Sequence, residues 1–359
     1  MTGSLLDFGI RDDDQLIVDT MAAFAAEQLR PALRAAEAAH AVAPEVRESF
    51  GELGFEDLDM PEAAGGAGLG MLTRVLANIS LARADAGAAV GLDRVGPALY
   101  VLQEFGGDEA VKRFARPVLE APGARVALIV EDEDRNVVAG GRIAGHAAWV
   151  ATDRADLIVG LGPNSAWVLE GGATLTAVRG AGLQAAGASR ISFDGPVAAA
   201  WSDAKAAARA LARVRVCIAA LIVGVLEDAS QFSRAYAQER VAFGQPIAHH
   251  QGLAFLIVDM FTAVEQARLL VEDAARRIEA GDDAVQEAAA AFVEAVEASR
   301  FVGPNGVQIL GGHGFMRDFP MEKAMRDCRA LGLLAGGLHR ARDDAAALAW
   351  ATAEAFEEA

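Results

Sequence analysis

The sequence is poor in cysteine and in basic residues. Cys217 and Cys328 are the only cysteines among 359 residues, which argues against a disulfide-stapled extracellular scaffold and predicts two buried, reduced thiols. The 50 Asp and Glu residues outnumber the 32 Lys and Arg residues, and the net charge is −18. Because such a field repels phosphate backbones and anionic headgroups, we discount nucleic acid and membrane surfaces as partners. Any anionic ligand would need a local basic patch.

Long hydrophobic segments and targeting signals are also absent. The longest apolar run, VCIAALIVGVL at 216–226, is too short to span a bilayer. The first residues, MTGSLLDFGIRDDDQ, have neither the basic region nor the apolar core of a secretory signal. We therefore expect a cytoplasmic protein.

Standard site signatures are missing as well. The sequence has no P-loop, no GxGxxG between a strand and a helix, no HExxH and no GxSxG elbow. The adjacent His249 and His250 would point in different directions at a helix start. None of the six histidines has the spacing of a metal site, so no metal ligands are predicted.

Periodicity divides the chain into three regions. Residues 11–120 carry apolar residues at helical spacing, residues 124–200 read as short strands, and helices return after Trp201. The prediction is an α+β fold with an N-terminal helical domain (1–122), a small middle β-domain (123–202) and a C-terminal four-helix bundle (203–359). The middle of the first bundle helix is apolar on every face and should be buried on several sides.

Two stretches carry more specific patterns. In RAYAQERVAFGQPIAHHQ (234–251), a long helix ends near Arg240, Phe243 begins a tight turn, and Gln251 opens the next helix. A guanidinium there suits a diphosphate, although a capped, solvated corner explains the pattern equally well. In QILGGHGFMRDFPMEKAMRD (308–327), clustered glycines permit a close backbone approach, or form only a loop before a helix.

Together these stretches resemble the acyl-CoA dehydrogenase family. The same order of motifs includes FxxEQLRP at 24–31, ELGFEDLDMPEAAGGAGLG at 52–70 and RISFDGP at 190–196, so the resemblance covers nearly the whole chain. It implies an α–β–α layout with FAD bound between domains and between subunits, an acyl-CoA substrate, and an electron-transferring flavoprotein as the electron acceptor.

The resemblance also assigns cofactor-binding residues. In the family, the ER-x-x-FG corner and the Q-x-x-GG turn reach the adenine and pyrophosphate end of the FAD in the neighbouring subunit. This role falls on Arg240, Phe243, Gln251, Gln308 and Gly312. Gly311 and Gly314 are expected to serve turn geometry.

The family's catalytic base has no counterpart here. The family removes an α-proton with a glutamate that follows an R-D-A-[KR] helix, matched here by 326–329, and counting forward places Ala335 at that position. In a minority of members the glutamate lies on the first bundle helix before an arginine, which corresponds to Val214 before Arg215. Neither side chain can accept a proton, so no catalytic residue is predicted.

The side that should face the flavin ring also departs from the family. The L-T-E-P-x-x-G-S-D strand is replaced by ALIVEDEDRN (127–136), and W-[IV]-T becomes Trp149-Val150-Ala151. Thr152 comes one residue later and should face the other way on a strand. The β-domain is also shorter than is usual in the family.

Residues that act on a neighbour's FAD are thus kept, whereas those acting on the chain's own FAD are lost. We therefore expect the non-catalytic half of an α2β2 dehydrogenase, similar to actinobacterial steroid-degrading members, with the acyl-CoA held mainly by a catalytic partner. Two alternatives remain: a diverged homo-oligomeric flavoenzyme that recruits a carboxylate such as Glu131, and a flavin-free scaffold of the same fold.

Overall fold

A helical layer, a curled sheet and a second helical layer follow one another along the chain, as the sequence predicts. The computed structural model describes residues 12–131 and 138–346. Residues 132–136 of the first strand stretch, and the predicted continuation of the last helix to residue 359, lie outside the described residues. The N-terminal helices are α1 (Asp12–Phe24), α2 (Arg30–Ala39), α3 (Pro44–Glu52), α4 (Met71–Leu92), α5 (Ala98–Ala110) and α6 (Arg116–Glu120).

The middle of the chain forms a curled sheet. Its strands are β1 (Val126–Val130), β2 (Arg142–Val150), β3 (Leu157–Leu161), β4 (Ser165–Leu169), β5 (Ala173–Ala177) and β6 (Ser189–Ser202). The strand order is β1-β3-β4-β6-β2, with β5 also paired to β6, and only the β1–β3 pair is parallel. Because the 14-residue β6 pairs with β2 and β5 at one end and with β4 at the other, the sheet bends around Trp167 and Phe193, whose rings lie 5.1 Å apart.

Helices return after the sheet. They are α7 (Ala204–Glu239), α8 (Gln251–Ala280), α9 (Val285–Leu310), α10 (Met321–Leu331) and α11, which runs through residues 337–346. The Asp203 carboxylate starts α7 by accepting hydrogen bonds from the backbone N–H groups of Lys205 and Ala206 at 2.9 and 3.1 Å. The three long helices pack on one another, and α10 packs against α7 and α9.

The centre of the molecule is the crossing of α4 and α7. The apolar middle of α7 is buried on all sides, which confirms the prediction from its sequence. Among the described helices, α4 has the length and composition of a membrane span, but 89% of that segment is buried inside the protein. A Cβ on Gly224 of α7 would lie 2.4 Å from the Ile79 carbonyl oxygen of α4, so the two backbones touch because a side chain is missing.

A buried charge triad joins α10 to the other two layers. The Lys323 ammonium donates to Asp85 Oδ1 at 2.8 Å and to Asp327 Oδ2 at 2.5 Å, and all three side chains are nearly inaccessible. Asp85 interrupts α4 with a non-helical backbone and accepts a hydrogen bond from the Gly87 N–H at 2.8 Å. Asp327 accepts one from the N–H of Leu183, in the loop before β6, at 2.8 Å. The triad therefore fixes three chain segments at one point.

A second ionic cluster lies between α2 and α10. Glu37 accepts hydrogen bonds from Arg34 and Arg326, each at 2.6 Å, and its side chain is only 1% exposed. Burial acts to raise the pKa of Glu37, but the hydrogen bonds from Arg34 and Arg326 outweigh burial and lower it from 4.5 to about 2. Glu37 is therefore an anion that only the folded structure stabilises.

We expect Lys323→Met to lower the free energy of unfolding by about 3–5 kcal/mol, because it leaves Asp85 and Asp327 as buried carboxylates without a counter-charge. Urea unfolding of the purified chain measures the change. Lys112→Met removes an exposed pair with Glu109 and should change stability by less than about 1 kcal/mol. Equal effects of the two substitutions would show that the triad does not hold the layers together.

Lowering the pH should reveal how much Glu37 contributes to the free energy of unfolding. Since its folded-state pKa lies below the unfolded value, its stabilisation is complete above about pH 4.5 and is lost as the pH falls towards 2. We expect Glu37→Gln to be less stable than the wild type at pH 7 and to lose less stability over this interval, as measured by urea unfolding at each pH. The exposed Glu45→Gln should follow the wild-type profile. Parallel profiles for Glu37→Gln and the wild type would contradict the assignment.

Candidate functional site

The corner between α7 and α8 presents an aromatic ring to solvent. Short strands β7 (Val241–Ala242) and β8 (Gln245–Pro246) form a hairpin whose two turn residues, Phe243 and Gly244, have φ of 53° and 83°. A left-handed backbone costs a residue such as Phe about 1–2 kcal/mol. The Phe243 side chain is nevertheless 96% exposed, so burial within this chain does not offset that cost. The two-residue hairpin turn requires this backbone, and the ring meets His250 edge-on with centroids 6.0 Å apart, so most of the ring stays available to a molecule outside the chain.

Two polar residues of the same corner, Arg240 and Gln251, keep their side chains free within the described part of the chain, whereas Gln245 and His250 bond to each other. The Arg240 N–H donates to the Tyr236 carbonyl, and the Arg240 carbonyl accepts from the Ile247 N–H, both at 2.8 Å. Arg240 and Gln251 are exposed, and within the described residues neither side chain has a hydrogen-bond or ion-pair partner. The corner thus offers an unpaired guanidinium and an amide at fixed positions.

The glycine-rich turn after α9 contains two kinds of glycine. The fold of the chain explains Gly311 and Gly314 but does not explain Gly312. Gly311 has a φ of 58°, and a Cβ on Gly314 would lie 2.6 Å from the Val307 carbonyl oxygen. Gly312 has an ordinary backbone, and no atom of the described residues lies within 4 Å of where its Cβ would be. Gln308 is exposed beside it. An approach from outside the chain is thus the remaining physical reason for glycine at 312.

A hydrogen bond brings the two stretches together. Tyr236, in the last turn of α7, bonds through its hydroxyl to His313 Nδ1 at 2.8 Å, and the His313 ring stacks on Phe319 at 5.0 Å. The five residues predicted to contact the cofactor therefore lie at one end of the bundle. Large apolar side chains are exposed at the same end, namely Val241, Phe243, Phe315 and Met316.

A separate cavity of about 290 Å³ lies where α4, α7, β1, β2 and the turn before α11 meet. Val214 and Ala335, the two positions that the sequence analysis matches to the family's base, both line it. Two positions that are 121 residues apart in sequence (335 minus 214) thus border one space. The cavity is therefore a space that both predicted base positions border, and in this chain both positions carry aliphatic side chains.

The cavity's polar side chains are mostly engaged with other groups of the chain. Asp93 accepts hydrogen bonds from Arg74 and from the Gly96 N–H, and burial raises the pKa of Asp93 although Arg74 opposes the shift. Cys217 contacts the Tyr100 hydroxyl at 3.2 Å, and burial raises its pKa to about 12. A neutral thiol and an ion-paired carboxylate are poor substitutes for a general base.

Thr152 lies beyond the strand on which its orientation was predicted. Strand β2 ends at Val150, so strand alternation does not reach Thr152, and this residue lines the same cavity as Trp149 and Ala151. Its hydroxyl donates to the Arg154 carbonyl at 2.7 Å and is thereby committed to a local turn. Glu131, the carboxylate considered for a relocated base, does not belong to the cavity lining formed by the described residues.

Sequence reasoning missed Arg125, which precedes β1. It lines the cavity, is 4% exposed, and donates to the carbonyls of Gly91 and Val90, at the C-terminus of α4, at 2.5 and 3.0 Å. Its Nε is buried and has no hydrogen-bond partner among the described residues, and burial lowers its pKa to about 10. A single arginine ahead of a strand matches no motif, so the sequence offered no signal for it.

The two regions differ in how they fit FAD. The pyrimidine edge of a flavin ring carries carbonyl and N–H groups that need partners, whereas the cavity wall offers the aliphatic residues of β1, Trp149, Ala151 and an engaged Thr152 hydroxyl. Apart from Arg125, the polar side chains of the cavity are engaged within the chain and offer the edge of a flavin ring few free partners. The exposed corner, with Arg240, Phe243 and nearby amides, fits a diphosphate and an aromatic base.

Family models match both helical parts of the chain. Residues 11–121 match the acyl-CoA dehydrogenase N-terminal domain, and residues 204–349 match the acyl-CoA dehydrogenase C-terminal domain. The short-chain specific acyl-CoA dehydrogenase of Clostridium acetobutylicum is 25% identical over 92% of this chain and 96% of its own length. Benzylmalonyl-CoA dehydrogenase of Aromatoleum aromaticum is 27% identical over the same shares, 92% and 96%.

Solved structures share the fold. Butyryl-CoA dehydrogenase from Megasphaera elsdenii superposes with a TM-score of 0.83 at 22% identity, over 96% of this chain and 100% of that one. A chain from a structural study of the electron-transferring flavoprotein of Acidaminococcus fermentans gives a TM-score of 0.83 at 26% identity, over 95% and 98%. The chain therefore belongs to the acyl-CoA dehydrogenase family of oxidoreductases, whose cofactor is FAD.

Proposed function

We propose that this chain is the non-catalytic subunit of a heteromeric acyl-CoA dehydrogenase, assembled as α2β2, and that it completes the FAD site of a catalytic partner. One asymmetry carries the proposal. The exposed corner keeps unpaired polar groups for a cofactor, whereas the chain's own cavity has methyl groups at Val214 and Ala335 where a base is needed.

The proposed contacts follow from what each side chain offers. Arg240 supplies a planar guanidinium that can bind two oxygens of a diphosphate at once. Phe243 supplies an exposed ring for the adenine, and Gln251 and Gln308 supply amide donors and acceptors. Gly312 lets the cofactor approach the backbone closely, since no neighbouring atom of the described chain occupies that space.

The remaining functions belong to the partner in this proposal. It contributes the carboxylate that removes the α-proton and most of the acyl-CoA pocket. FAD bound at the shared interface would supply the acceptor for the β-hydride, with its adenine and pyrophosphate end held by the corner residues of this chain, and an electron-transferring flavoprotein would be the electron acceptor. The acidic composition of the chain and the burial of its apolar helices agree with a cytoplasmic assembly. The resemblance to α2β2 members points to a bulky lipid or steroid-like acyl group as the substrate.

A diverged flavoenzyme that acts without a partner is the second candidate. The similarity to the named dehydrogenases of Clostridium acetobutylicum and Aromatoleum aromaticum along nearly their whole length favours it. In that case Asp93 is the available carboxylate, because it lines the cavity while Glu131 does not. It would have to leave Arg74 to accept a proton.

Expression with and without a catalytic family member distinguishes these functions. We expect the chain alone to purify with little flavin and no dehydrogenase activity, and the co-expressed complex to carry FAD and desaturate acyl-CoA. Flavin absorbance per subunit and reduction of an artificial electron acceptor measure the two properties. A yellow, active preparation of the chain alone would favour the second candidate and overturn the first.

Within that complex, Arg240→Ala should weaken FAD binding by about 10- to 100-fold, the loss expected for charge-assisted hydrogen bonds. Arg300→Ala is the matched control, because Arg300 is exposed on α9 and already pairs with Glu297 at 3.2 Å. Equal FAD affinity in the two variants would remove Arg240 from the site and would favour a flavin-free scaffold.

A substitution of Phe243 should affect the stability of the chain and the binding of the cofactor differently. Asn tolerates a left-handed backbone better than Phe, so we expect Phe243→Asn to leave the isolated chain as stable or up to about 1 kcal/mol more stable. The same substitution should weaken FAD binding in the complex. Thermal unfolding of the chain and FAD titration of the complex measure the two effects. A stability loss with unchanged FAD affinity would assign Phe243 to the fold instead.

A further inference from the structure

Two aromatic neighbours hold the side chain of His313 in one orientation. Its ring stacks on Phe319 with centroids 5.0 Å apart and planes inclined by 14°, and it meets the Tyr236 ring edge-on at 6.0 Å. The Tyr236 hydroxyl bonds to Nδ1 at 2.8 Å. Phe319 is itself supported by Tyr236 and Phe232, whose ring centroids lie 6.1 and 6.3 Å away. The imidazole is therefore fixed, although it belongs to a glycine-rich turn.

The second ring nitrogen of His313 has no partner in the fold. Nε2 makes no hydrogen bond to the described residues and is not one of their buried unpaired atoms, so it keeps contact with solvent. When the Tyr236 hydroxyl donates to Nδ1, a neutral imidazole carries its proton on Nε2, and a charged imidazole carries protons on both nitrogens. An anion at Nε2 favours these two forms over the remaining tautomer. Nε2 then offers a donor to a group outside the chain.

Tyr236 connects this donor to the corner between α7 and α8. Its hydroxyl holds His313, and its carbonyl accepts from the Arg240 N–H at 2.8 Å, one helical turn further on. His313 also follows Gly312 directly, where no atom of the described chain lies within 4 Å of the position of a Cβ. Arg240 can bind two oxygens at once, and a diphosphate carries more than two. A second donor at this end of the bundle thus has an oxygen to bind.

We propose that His313 is a further ligand of the cofactor diphosphate, donating from Nε2 to a phosphate oxygen, and that Tyr236 is the positioning residue that fixes its ring. A cluster that served only the fold would use the stacked ring and Nδ1, but it would give no reason for an unpaired Nε2 next to the open backbone of Gly312. The inference deepens the proposed function and rests on it, because the diphosphate belongs to the FAD that this chain shares with its partner.

Two substitutions at His313 separate a ligand from a structural residue. Asn places a polar atom near the position of Nδ1, so His313→Asn keeps a partner for Tyr236 but loses Nε2. Gln extends an amide to the position of Nε2 and loses the bond to Tyr236. In the complex with a catalytic family member, we expect His313→Asn to weaken FAD binding about tenfold or more, and His313→Gln to stay within about threefold of the wild type.

FAD titration of the complex, followed by flavin fluorescence, gives these affinities without any measurement of turnover. His146→Asn is the matched control, because it removes an exposed histidine of β2, and it should leave FAD affinity within about twofold of the wild type. Thermal unfolding of each variant chain shows whether the fold is kept.

Tyr236→Phe tests the positioning role. Loss of the hydroxyl should weaken FAD binding about threefold or more in the wild-type chain, because the ring of His313 is then held less firmly. The same change should have little further effect in chains that carry His313→Asn or His313→Gln, since there is no imidazole left to orient. A role in the fold alone would give the same loss in all three chains, and either His313 variant suffices for this comparison if the other fails to fold.

A greater loss of FAD affinity in His313→Gln than in His313→Asn, wild-type affinity in both, or an equal effect of Tyr236→Phe in every chain would overturn the proposal. If Arg240→Ala still weakens FAD binding in that case, the subunit assignment stands and only the role of His313 is wrong. If neither Arg240→Ala nor His313→Asn changes FAD affinity, the corner holds no cofactor, and the role of His313 is rejected together with the subunit assignment.

Discussion

The contact of Lys323 with Asp85 and Asp327 is the constraint on which both candidate regions depend. It fixes α10 against the break in α4 and against Leu183, whose backbone is held left-handed at a φ of 55°. The glycine-rich turn enters α10 from one side, and the cavity turn leaves it on the other. A shift of α10 would therefore move the exposed corner and the cavity wall together. Because a buried triad is strongly destabilising when one partner is lost, it restricts α10 to one position.

Much of the fold could be predicted from the sequence because it rests on local patterns. Apolar periodicity predicts the three layers, and the corner and glycine-rich motifs predict where exposed polar groups gather. The contact between Lys323 and Asp85 could not be predicted, since 238 residues separate them and neither belongs to a periodic pattern. Arg125 could not be predicted from the sequence either, because it belongs to no periodic pattern or motif. The prediction for Thr152 assumed a strand, and that strand ends two residues earlier.

Under the proposed function, the two regions differ in what burial demands of their side chains. The corner residues contribute little to the core, so their exposed side chains are free to serve a molecule outside the chain. The cavity positions are different, since Val214 is 1% exposed and Ala335 is 3% exposed. Apolar groups there avoid the cost of desolvating a carboxylate, so a chain without the chemistry is more stable for lacking it.

The backbone around Ala335 supports this separation of geometry from chemistry. Ala335, Gly336 and Gly337 have φ of 55°, 82° and 75°, so the turn before α11 is built from successive left-handed residues. Any L-residue other than glycine at 335 carries a similar backbone cost, so the strain cannot be attributed to the loss of a glutamate side chain. Val214 lies on a regular helix that would accept glutamate without a change of backbone. The two predicted base positions therefore carry aliphatic side chains on an intact frame, which is the arrangement expected if the proposed subunit keeps its assembly surfaces and leaves the reaction to a partner.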